Sequence, residues 1–258
     1  MEASLENAVA WLDSIYAGEG TSDSMDSIFD ALSAKWKTYS LEQLQALEPT
    51  ALWVPGMQTD GFRVDGDTTY LTQLTDLSGN GHDAVQTTAT RQASLDGSDA
   101  VFSGGQGYDT STTLTILQPL TCCCRCYPKN TTSDLWGTIF DSATSIDTYR
   151  NLLTFKSGST REMVIYAGSE LPTSGYVIKE SNIIVLFNTS NSYIVQDGEI
   201  LNTGNPGTST LKGGIRIGDD YNGHYFLIGT ISTLALYNKT LTTTEQTIVN
   251  QCLTILGE

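Results

Sequence analysis

Residues 76–83 read Asp76-Leu77-Ser78-Gly79-Asn80-Gly81-His82-Asp83, and the rest of the chain can be ordered around them. The two glycines adopt positive φ at little steric cost, and the asparagine between them tolerates the left-handed region. The aspartates and the serine can accept hydrogen bonds from nearby backbone N–H groups. The stretch therefore predicts a structured turn, after which extended chain resumes at Ala84-Val85-Gln86.

The composition favours a β-rich protein with many turns. Of the 258 residues, 39% are hydrophobic and only 16% are charged, while Thr, Ser and Gly are abundant. The formal net charge is −16, which repels nucleic-acid phosphates and anionic membranes. We therefore expect neither a nucleic-acid partner nor a membrane partner.

Targeting signals and cysteine usage point to synthesis in a reducing host cytosol. Residues 1–20 lack the basic region of a secretory signal, and no apolar run approaches the roughly 20 residues that span a bilayer. Four of the five cysteines lie in Cys122-Cys123-Cys124-Arg125-Cys126. Neighbours in a strand point to opposite faces and make poor disulfide partners, so a disulfide scaffold is not expected.

Three helices are predicted in residues 1–49. Apolar stripes at helical spacing mark the first two: Leu5, Ala8, Val9, Leu12 and Ile15, and then Met25, Ile28, Phe29, Leu32 and Trp36. A capping box at Ser40-Leu41-Glu42-Gln43 predicts the start of a third helix, which Pro49 ends. The stripes would pack within the chain or dock on a neighbouring subunit, and both interpretations stay open.

Short extended runs follow from Ala51 onward. They are Leu52–Val54, Thr69–Leu71, Ala84–Gln86, Ala100–Phe102, Leu114–Ile116, the cysteine run, Trp136–Phe140, Leu152–Phe155, Met163–Tyr166, Ile183–Phe187, Ser192–Gln196, Glu199–Leu201, Gly214–Gly218 and Ile228–Tyr237. Asp197-Gly198 predicts a two-residue hairpin turn. Many short strands without alternating helices predict an antiparallel sandwich. A terminal helix is expected from Thr243, with Val249 and Leu253 on its apolar face.

Three segments together resemble one family. They are Leu52-Trp53-Val54 followed by residues 76–81, then Val195-Gln196-Asp197-Gly198-Glu199, and then Gly229-Thr230-Ile231 through Leu241 with Glu245. In this order they are similar to the opening, the hairpin and the closing elements of laminin-G-like, concanavalin A-like jelly rolls. The resemblance covers about residues 50–257. Leu74 stands where relatives often carry Trp, which leaves the subfamily open.

The resemblance implies a mainly β, antiparallel two-sheet jelly-roll sandwich over residues 50–258, with a small helical segment over residues 1–49. Such domains occur as recognition modules on surface proteins and in bacteriophage virions. The helical segment, the acidic charge and the missing signal resemble the virion type. Residues 1–49 would then anchor the protein to a capsid or tail while the sandwich points outward.

The expected function is therefore that of a non-enzymatic phage virion structural protein, in capsid decoration, a head fibre or tail-associated adhesion. The expected location is the virion, after synthesis in the host cytoplasm. Other virion proteins are the expected partners. A homo-oligomer is expected, with a trimer as one candidate, because virion appendages are commonly symmetric.

Catalytic patterns are missing from the sequence. A retaining glycosidase needs two carboxylates that face one cleft, and no strand reads Glu-x-Asp-x-Glu. Asp197 and Glu199 have that separation but flank a hairpin glycine. His82 and His224 lack a nucleophile elbow, and no phosphate loop or dinucleotide fingerprint is present. The sequence thus predicts a protein that is not an enzyme. A carbohydrate-binding module that recognises surface glycans is the second hypothesis, and a glycoside hydrolase is the third.

Asp76, Asn80 and Asp83 are the candidate metal ligands, and no cofactor is required by the sequence. Carboxylate and carbonyl oxygens bind calcium, and loops in related sandwiches can hold this ion. Asp and Asn also cap turns without any metal, so both interpretations stay open. The cysteine run has metal-like spacing, but zinc usually needs ligands from a second segment. Free cysteines are commonly buried, so core packing is favoured for this run.

A second group of residues suggests sugar recognition, which uses an exposed aromatic ring beside Asp or Asn. The candidate glycan-binding residues are Asp219, Asp220, Tyr221, Asn222 and His224, which Tyr225 extends. Tyr108 and Asp109 offer a second pair. Aromatic residues of a sandwich are more often part of the core.

Overall fold

The computed structural model describes residues 25–110, 114–129, 136–143, 150–156, 162–173 and 176–258. The chain divides into two compact units, residues 1–36 and residues 37–258. The second unit therefore contains residues 37–49 together with the sandwich. The helix predicted before Gly18 lies outside the described residues.

Two α-helices are present in the described chain, α1 (Met25–Ala46) and α2 (Thr243–Leu256). The prediction of two separate helices between Met25 and Pro49 is wrong. No Gly or Pro interrupts this segment, and Ser40 is buried within a continuous helix rather than at a helix start. Helix α2 begins as predicted, because Thr242 and Glu245 form a reciprocal capping box.

Twenty strands lie in the part of the chain that the structure describes. In chain order they are β1 (Ala51–Trp53), β2 (Phe62–Asp65), β3 (Thr68–Leu71), β4 (Gln73–Leu74), β5 (Ala84–Val85), β6 (Ser94–Asp96), β7 (Asp99–Ser103), β8 (Tyr108–Thr110), β9 (Thr115–Ile116), β10 (Leu120–Pro128), β11 (Trp136–Ser142), β12 (Leu152–Lys156), β13 (Glu162–Tyr166), β14 (Glu170–Pro172), β15 (Ser181–Phe187), β16 (Ser192–Gln196), β17 (Glu199–Gly204), β18 (Leu211–Lys212), β19 (Ile215–Ile217) and β20 (Ile228–Tyr237). The sequence analysis missed β2, β4, β6, β8, β14 and β18, which are short and carry few β-branched residues.

Two large antiparallel sheets confirm the predicted two-sheet sandwich. The ten-stranded sheet has the order β17-β16-β15-β10-β20-β7-β6-β3-β2, and β1 also pairs with β20. The eight-stranded sheet has the order β14-β13-β12-β11-β19-β8-β5-β4. Strands β9 and β18 form a separate pair. The Asp197-Gly198 turn joins β16 to β17, with φ of 50° and 88° at its two residues, as a hairpin turn with both central residues left-handed requires.

Two apolar clusters hold the sandwich together. The first lies between the sheets and includes the buried rings of Trp53, Phe102, Phe140 and Phe187. The second lies on the outer face of the ten-stranded sheet. Its members include Leu44 of α1, Cys123 of β10, Ile184 of β15, and Val249 and Leu253 of α2. Helical residues thus cover the ten-stranded sheet from outside. Among the described residues, no helix combines the length and the apolar character that crossing a bilayer requires.

Candidate functional site

Three charged residues form a row across the eight-stranded sheet. Asp141 on β11 lies opposite Arg216 on β19, and Arg216 lies opposite Asp109 on β8. Their strand neighbours in the core are Phe140, Ile217 and Tyr108. Because side chains alternate across a strand, the three charged residues face away from the core. We call this outward side of the eight-stranded sheet the polar face.

Paired guanidinium and carboxylate groups organise the polar face. Arg216 donates from Nε and Nη2 to the two oxygens of Asp109 at 2.7 and 2.9 Å. Arg150 donates from Nε and Nη2 to Oδ2 of Asp141 at 3.0 and 2.8 Å. Two-pronged contacts of this kind fix both partners in position as well as neutralising charge. The polar face is therefore rigid and densely charged.

The segment after β19, which we call the 219–225 loop, is built on this row. The carboxylate Oδ1 of Asp220 accepts hydrogen bonds from the backbone N–H groups of His224 and Tyr225 at 2.7 and 3.1 Å. Arg216 donates from Nη1 to the carbonyl oxygens of Asp220 and the next residue at 3.3 and 3.2 Å. Asp220 thus fixes the loop by accepting from its backbone N–H groups, and Arg216 of β19 fixes it by donating to two of its carbonyls.

Asp219, the first residue of the loop, is fully buried. Its Oδ2 accepts a hydrogen bond from Nη2 of Arg91 at 3.0 Å. A Cβ at Gly107 would lie 2.9 Å from the Cβ of Asp219, so only glycine fits there. Within the described part of the chain, Oδ1 of Asp219 and Oδ2 of Asp220 have no hydrogen-bond partner. Buried acceptors without a donor are costly, and both oxygens are shielded from solvent in this structure.

Aromatic rings stand next to the charged groups. The guanidinium carbon of Arg150 lies 4.5 Å from the ring centroid of Tyr221 and 5.5 Å from that of Tyr166. The backbone N–H of Tyr221 donates to Oδ2 of Asp141 at 3.2 Å. The cation–π contact with Arg150 restrains the Tyr221 ring, and the hydrogen bond to Asp141 fixes its backbone.

A second aromatic pair continues the surface. The ring centroids of Trp136 and Tyr225 are 6.0 Å apart, and Nζ of Lys156 lies 5.4 Å from the Trp136 ring. Thr138 donates its backbone N–H to the Tyr225 carbonyl at 3.1 Å, which ties the loop to β11. The Tyr225 side chain is 43% exposed, so its ring is available to a ligand.

Two carboxyl groups of this region hold protons more tightly than usual. Burial raises the pKa of Asp141 to about 6, although Arg150 opposes that effect. Burial also raises the pKa of Asp219 to about 6, with Arg216 and Arg91 opposing. Near neutral pH a fraction of each carboxyl is therefore protonated and can donate a hydrogen bond or a proton.

The predicted glycan-binding residues divide into two roles. Asp219 and Asp220 are buried supports of the loop, while Tyr221 is partly exposed and Asn222 and His224 are exposed. Of the second predicted pair, Tyr108 lies in the core. Its hydroxyl accepts from the N–H of Ala93 and donates to the carbonyl of Leu71, so its assignment to a sugar site is wrong. Asp109 remains on the polar face.

Sequence reasoning missed seven residues of the site: Arg91, Trp136, Asp141, Arg150, Lys156, Tyr166 and Arg216. A usable signal existed for Asp141 and Arg216. Arg216 sits between Ile215 and Ile217, and Asp141 follows Phe140, so alternation places both charges outside the sandwich. Arg150 and Tyr166 carry no such signal, because only the strand pairing brings them together.

The predicted calcium turn is organised by hydrogen bonds. The carboxylate of Asp76 accepts from the backbone N–H groups of Leu52, Ser78 and His82 at 2.9, 3.0 and 2.8 Å. Asp83 accepts the N–H of Asp76 at 2.8 Å. The side chain of Asn80 donates to the carbonyls of Pro49 and Thr50. Among the described residues no group of three or more His, Cys, Asp or Glu is placed to hold a metal. Calcium binding at Asp76, Asn80 and Asp83 stays a prediction.

The cysteine run lies in the two apolar clusters. Cys122, Cys124 and Cys126 pack between the sheets, whereas Cys123 faces the helices. The sulfur atoms of Cys124 and Cys126 are 3.8 Å apart. All five cysteines of the protein are free and buried. These positions agree with the core packing favoured from the sequence.

No protein-family model and no curated protein matches the chain. Solved structures do match it. One is a GH54 α-L-arabinofuranosidase soaked with a cyclic sulfate inhibitor, with a TM-score of 0.63, 13% identity, and coverage of 84% of this chain and 65% of that one. Another is an arabinofuranosidase complexed with arabinofuranosyl-α-1,2-xylobiose, with a TM-score of 0.59, 14% identity and coverage of 73% and 51%. The fold is shared with glycoside-hydrolysing β-sandwich proteins. A Trypanosoma rangeli sialidase in complex with 2,3-difluorosialic acid matches with a TM-score of 0.51, 12% identity and coverage of 88% and 39%.

These comparisons contradict the prediction that the protein is not an enzyme, because glycoside hydrolases are among the structures that share its fold. The chain spans about half the length of the arabinofuranosidase bound to its xylobiose ligand. At these identities the likeness shows the fold alone. It gives no link to a bacteriophage, so the virion assignment rests on the sequence resemblance.

Proposed function

We propose that the protein binds glycan chains on the polar face and the 219–225 loop. The observation that carries this proposal is that hydrogen-bonded ion pairs and partly exposed aromatic rings lie next to each other on this surface. Arg150 stacks on Tyr221 while holding Asp141, and the exposed ring of Tyr225 lies next to Trp136. Sugar sites combine apolar ring faces with a few rigidly placed polar groups.

The position of this surface in the fold supports the same assignment. Helical residues such as Leu44 and Val249 cover the outer face of the ten-stranded sheet. Within residues 37–258, neither apolar cluster places a described helical residue against the polar face. A long sugar chain needs an extended open surface, and the polar face combines charged groups with aromatic rings.

Glycan binding can be tested with a matched pair of aromatic variants. The full-length protein is assayed on a glycan array and then by calorimetry with the strongest ligand. Tyr225→Ala removes a ring that is 43% exposed, and Phe62→Ala removes one that is 38% exposed but lies on β2 of the other sheet. We expect Tyr225→Ala to weaken binding about tenfold and Phe62→Ala to leave it unchanged. Equal effects of the two variants, or no glycan bound at all, would refute the proposal.

Glycoside hydrolysis is the second candidate function. The observation in its favour is the raised pKa of two neighbouring carboxyls, Asp141 and Asp219, since acid–base catalysis uses such groups. Both are buried, so catalysis would require the 219–225 loop to open. The test is release of reducing sugar from the glycans that bind. Asp141→Asn or Asp219→Asn should reduce turnover by about a hundredfold, whereas Asp67→Asn in an exposed turn should not. Undiminished turnover in both site variants would exclude these residues as catalysts.

A virion location, virion partners and a homo-oligomer remain predictions that rest on the family resemblance. Mass spectrometry of purified particles from infected cells would test the location. Light scattering of the purified protein would test the oligomer, with a threefold mass expected for the trimer. Absence of the chain from washed particles would remove the virion assignment and leave the glycan proposal standing.

A further inference from the structure

We infer that the site on the polar face takes uncharged glycans and discriminates against acidic ones. This inference rests on the proposed glycan-binding function and adds the chemical class of the ligand. It follows from how the arginines of the site are used. A guanidinium binds a carboxylated sugar most strongly when its donors are not already committed to a protein carboxylate.

Each arginine in the described part of the site already holds an aspartate. Arg216 is bidentate to Asp109, and Arg150 makes three contacts of 2.8 to 3.1 Å with Asp141. The third, Arg91, donates from Nη2 to Asp219 and from Nε to the carbonyl of Gly105. Further donors are used by the backbone, since Nη1 of Arg216 binds two carbonyls of the 219–225 loop.

The charge balance of the site points the same way. The three arginines face four aspartates, because Asp220 adds a carboxylate that no arginine side chain in the described chain pairs with. Lys156, which lies over Trp136, is the cross-strand neighbour of Glu162. The whole chain carries a formal charge of −16. Among the described residues of this site, carboxylates outnumber cationic side chains, so the approach of an acidic polysaccharide to this strongly acidic protein is unfavourable.

The remaining surface groups suit sugar hydroxyls. Asn222 and His224 are exposed, and their side chains can exchange hydrogen bonds with a ligand. The rings of Tyr221 and Tyr225 offer apolar faces with a hydroxyl at the tip.

The test uses polysaccharide pairs that share a backbone and differ in charge. Fully methyl-esterified polygalacturonate is compared with its de-esterified form, and galactan and arabinan serve as further neutral probes. Affinities of the full-length protein are measured at about 0.05 M and about 0.5 M NaCl. We expect neutral members to bind at least about tenfold more tightly, with little change between the two salt concentrations.

A variant that removes the carboxylate partner of Arg216 makes the inference independent of the choice of probe. Asp109→Asn keeps the shape of the side chain and frees Arg216, and the Asp109 side chain is 48% exposed, so the fold should tolerate the change. This variant should gain about tenfold in affinity for the acidic member, and the gain should vanish in high salt. Asp67→Asn removes the same charge in an exposed turn of the other sheet and should produce no gain.

The outcomes separate the two claims. If the wild-type protein prefers the acidic member, or if Asp109→Asn gains nothing for it, the inference is overturned while glycan binding stands. If the folded wild-type protein binds no glycan on the array and no neutral or acidic member here, the proposed function fails and the inference fails with it.

Discussion

Asp76 shows how one side chain can hold a whole turn. Its carboxylate serves three backbone N–H groups and the hydroxyl of Ser78. One of these donors belongs to Leu52 on β1, so the turn and the first strand share one acceptor. Charged acceptors of this kind are worth more than neutral ones, and their loss leaves buried donors without partners.

Replacing this acceptor should therefore be costly. We expect Asp76→Ala to lower the free energy of unfolding by about 3 kcal/mol or more. Urea denaturation followed by tryptophan fluorescence would measure the change. Asp67→Ala, which changes the same residue type in the exposed turn after β2, should stay within about 0.5 kcal/mol of wild type. A loss below about 1 kcal/mol for Asp76→Ala would show that water replaces the carboxylate in the turn.

The buried carboxyls of the site predict an unusual pH dependence. Burial raises the pKa of Asp141 from 3.8 to about 6, and that of Asp219 from 3.8 to about 6. Between about pH 4 and pH 6 the folded protein thus keeps protons that the unfolded chain has lost. The stability from these two groups is present below about pH 4 and is lost as pH rises through 6.

Unfolding free energies at several pH values between 4 and 7 would reveal this contribution. Compared with wild type, the double variant Asp141→Asn/Asp219→Asn should lose less stability, or gain more, as pH rises through this window. Asp67→Asn should follow the wild-type curve. If the wild-type and double-variant curves run parallel, the two carboxyls titrate normally in the folded state.

At the residue scale, the sequence predicted the local backbone conformation of turns but not which distant side chains pair. The positive φ at Gly79 and Gly81 follows from their turn context, and the structure has 85° and 76° there. The pairing of Arg216 with Asp109 joins residues 107 positions apart. Such a contact depends on the register of β19 against β8, which no local pattern encodes.

At the scale of elements, two glycines with positive φ exclude a side chain for different reasons. At one the reason is backbone strain alone, and at the other it is also a steric collision. Gly198 in the β16–β17 turn has φ of 88°, and a Cβ there would meet nothing within 4 Å. Gly229 at the start of β20 has φ of 151°, and its Cβ would collide with the backbone carbonyl of Tyr127 on β10.

The corresponding alanine variants should differ strongly. Gly198→Ala adds only left-handed strain and should cost about 1 to 2 kcal/mol. Gly229→Ala pushes two central strands apart and should cost more than about 4 kcal/mol, or prevent folding. Circular dichroism and thermal melts distinguish these outcomes. Similar melting temperatures for the two variants would mean that β10 can move away from β20.

Helix prediction failed in an instructive way at this scale. The tetrad Ser40-Leu41-Glu42-Gln43 fits a helix start, yet it lies in the middle of α1. The residues of a capping box are also accepted in a helix interior. A capping box therefore predicts a helix start only where the preceding residues cannot be helical. The Thr242 box of α2 meets that condition, because β20 ends shortly before it at Tyr237.

At the scale of the molecule, the boundary between compact units predicts where the chain can be cut. Residues 37–258 form one unit, and Leu44 within it is fully buried. Removing residues 1–36 should leave a cooperatively unfolding protein. Removing residues 1–48 also deletes Leu44 and should cost about 3 kcal/mol or more. Calorimetric scans of both truncations would measure this. Equal transitions would show that the cluster around Leu44 is not needed.

The architecture as a whole was the most predictable feature. Alternating short strands and turn residues indicated two antiparallel sheets, because each strand buries one face and needs a turn every few residues. The functional surface was harder to predict because it lies on the solvent side. There, alternation reveals that a side chain points outward but not which charges meet. The 219–225 loop was found because its aspartates, rings and amide are contiguous in sequence.

The central position of β20 has a consequence for the newborn chain. This strand lies between β10 and β7, pairs also with β1, and ends at Tyr237 of a 258-residue chain. During translation, the strands made before β20 cannot complete the ten-stranded sheet until β20 has been synthesised. Nascent chains that stop short of β20 would expose two open strand edges, which invites pairing with other chains. Premature termination should therefore yield aggregates rather than smaller folded products.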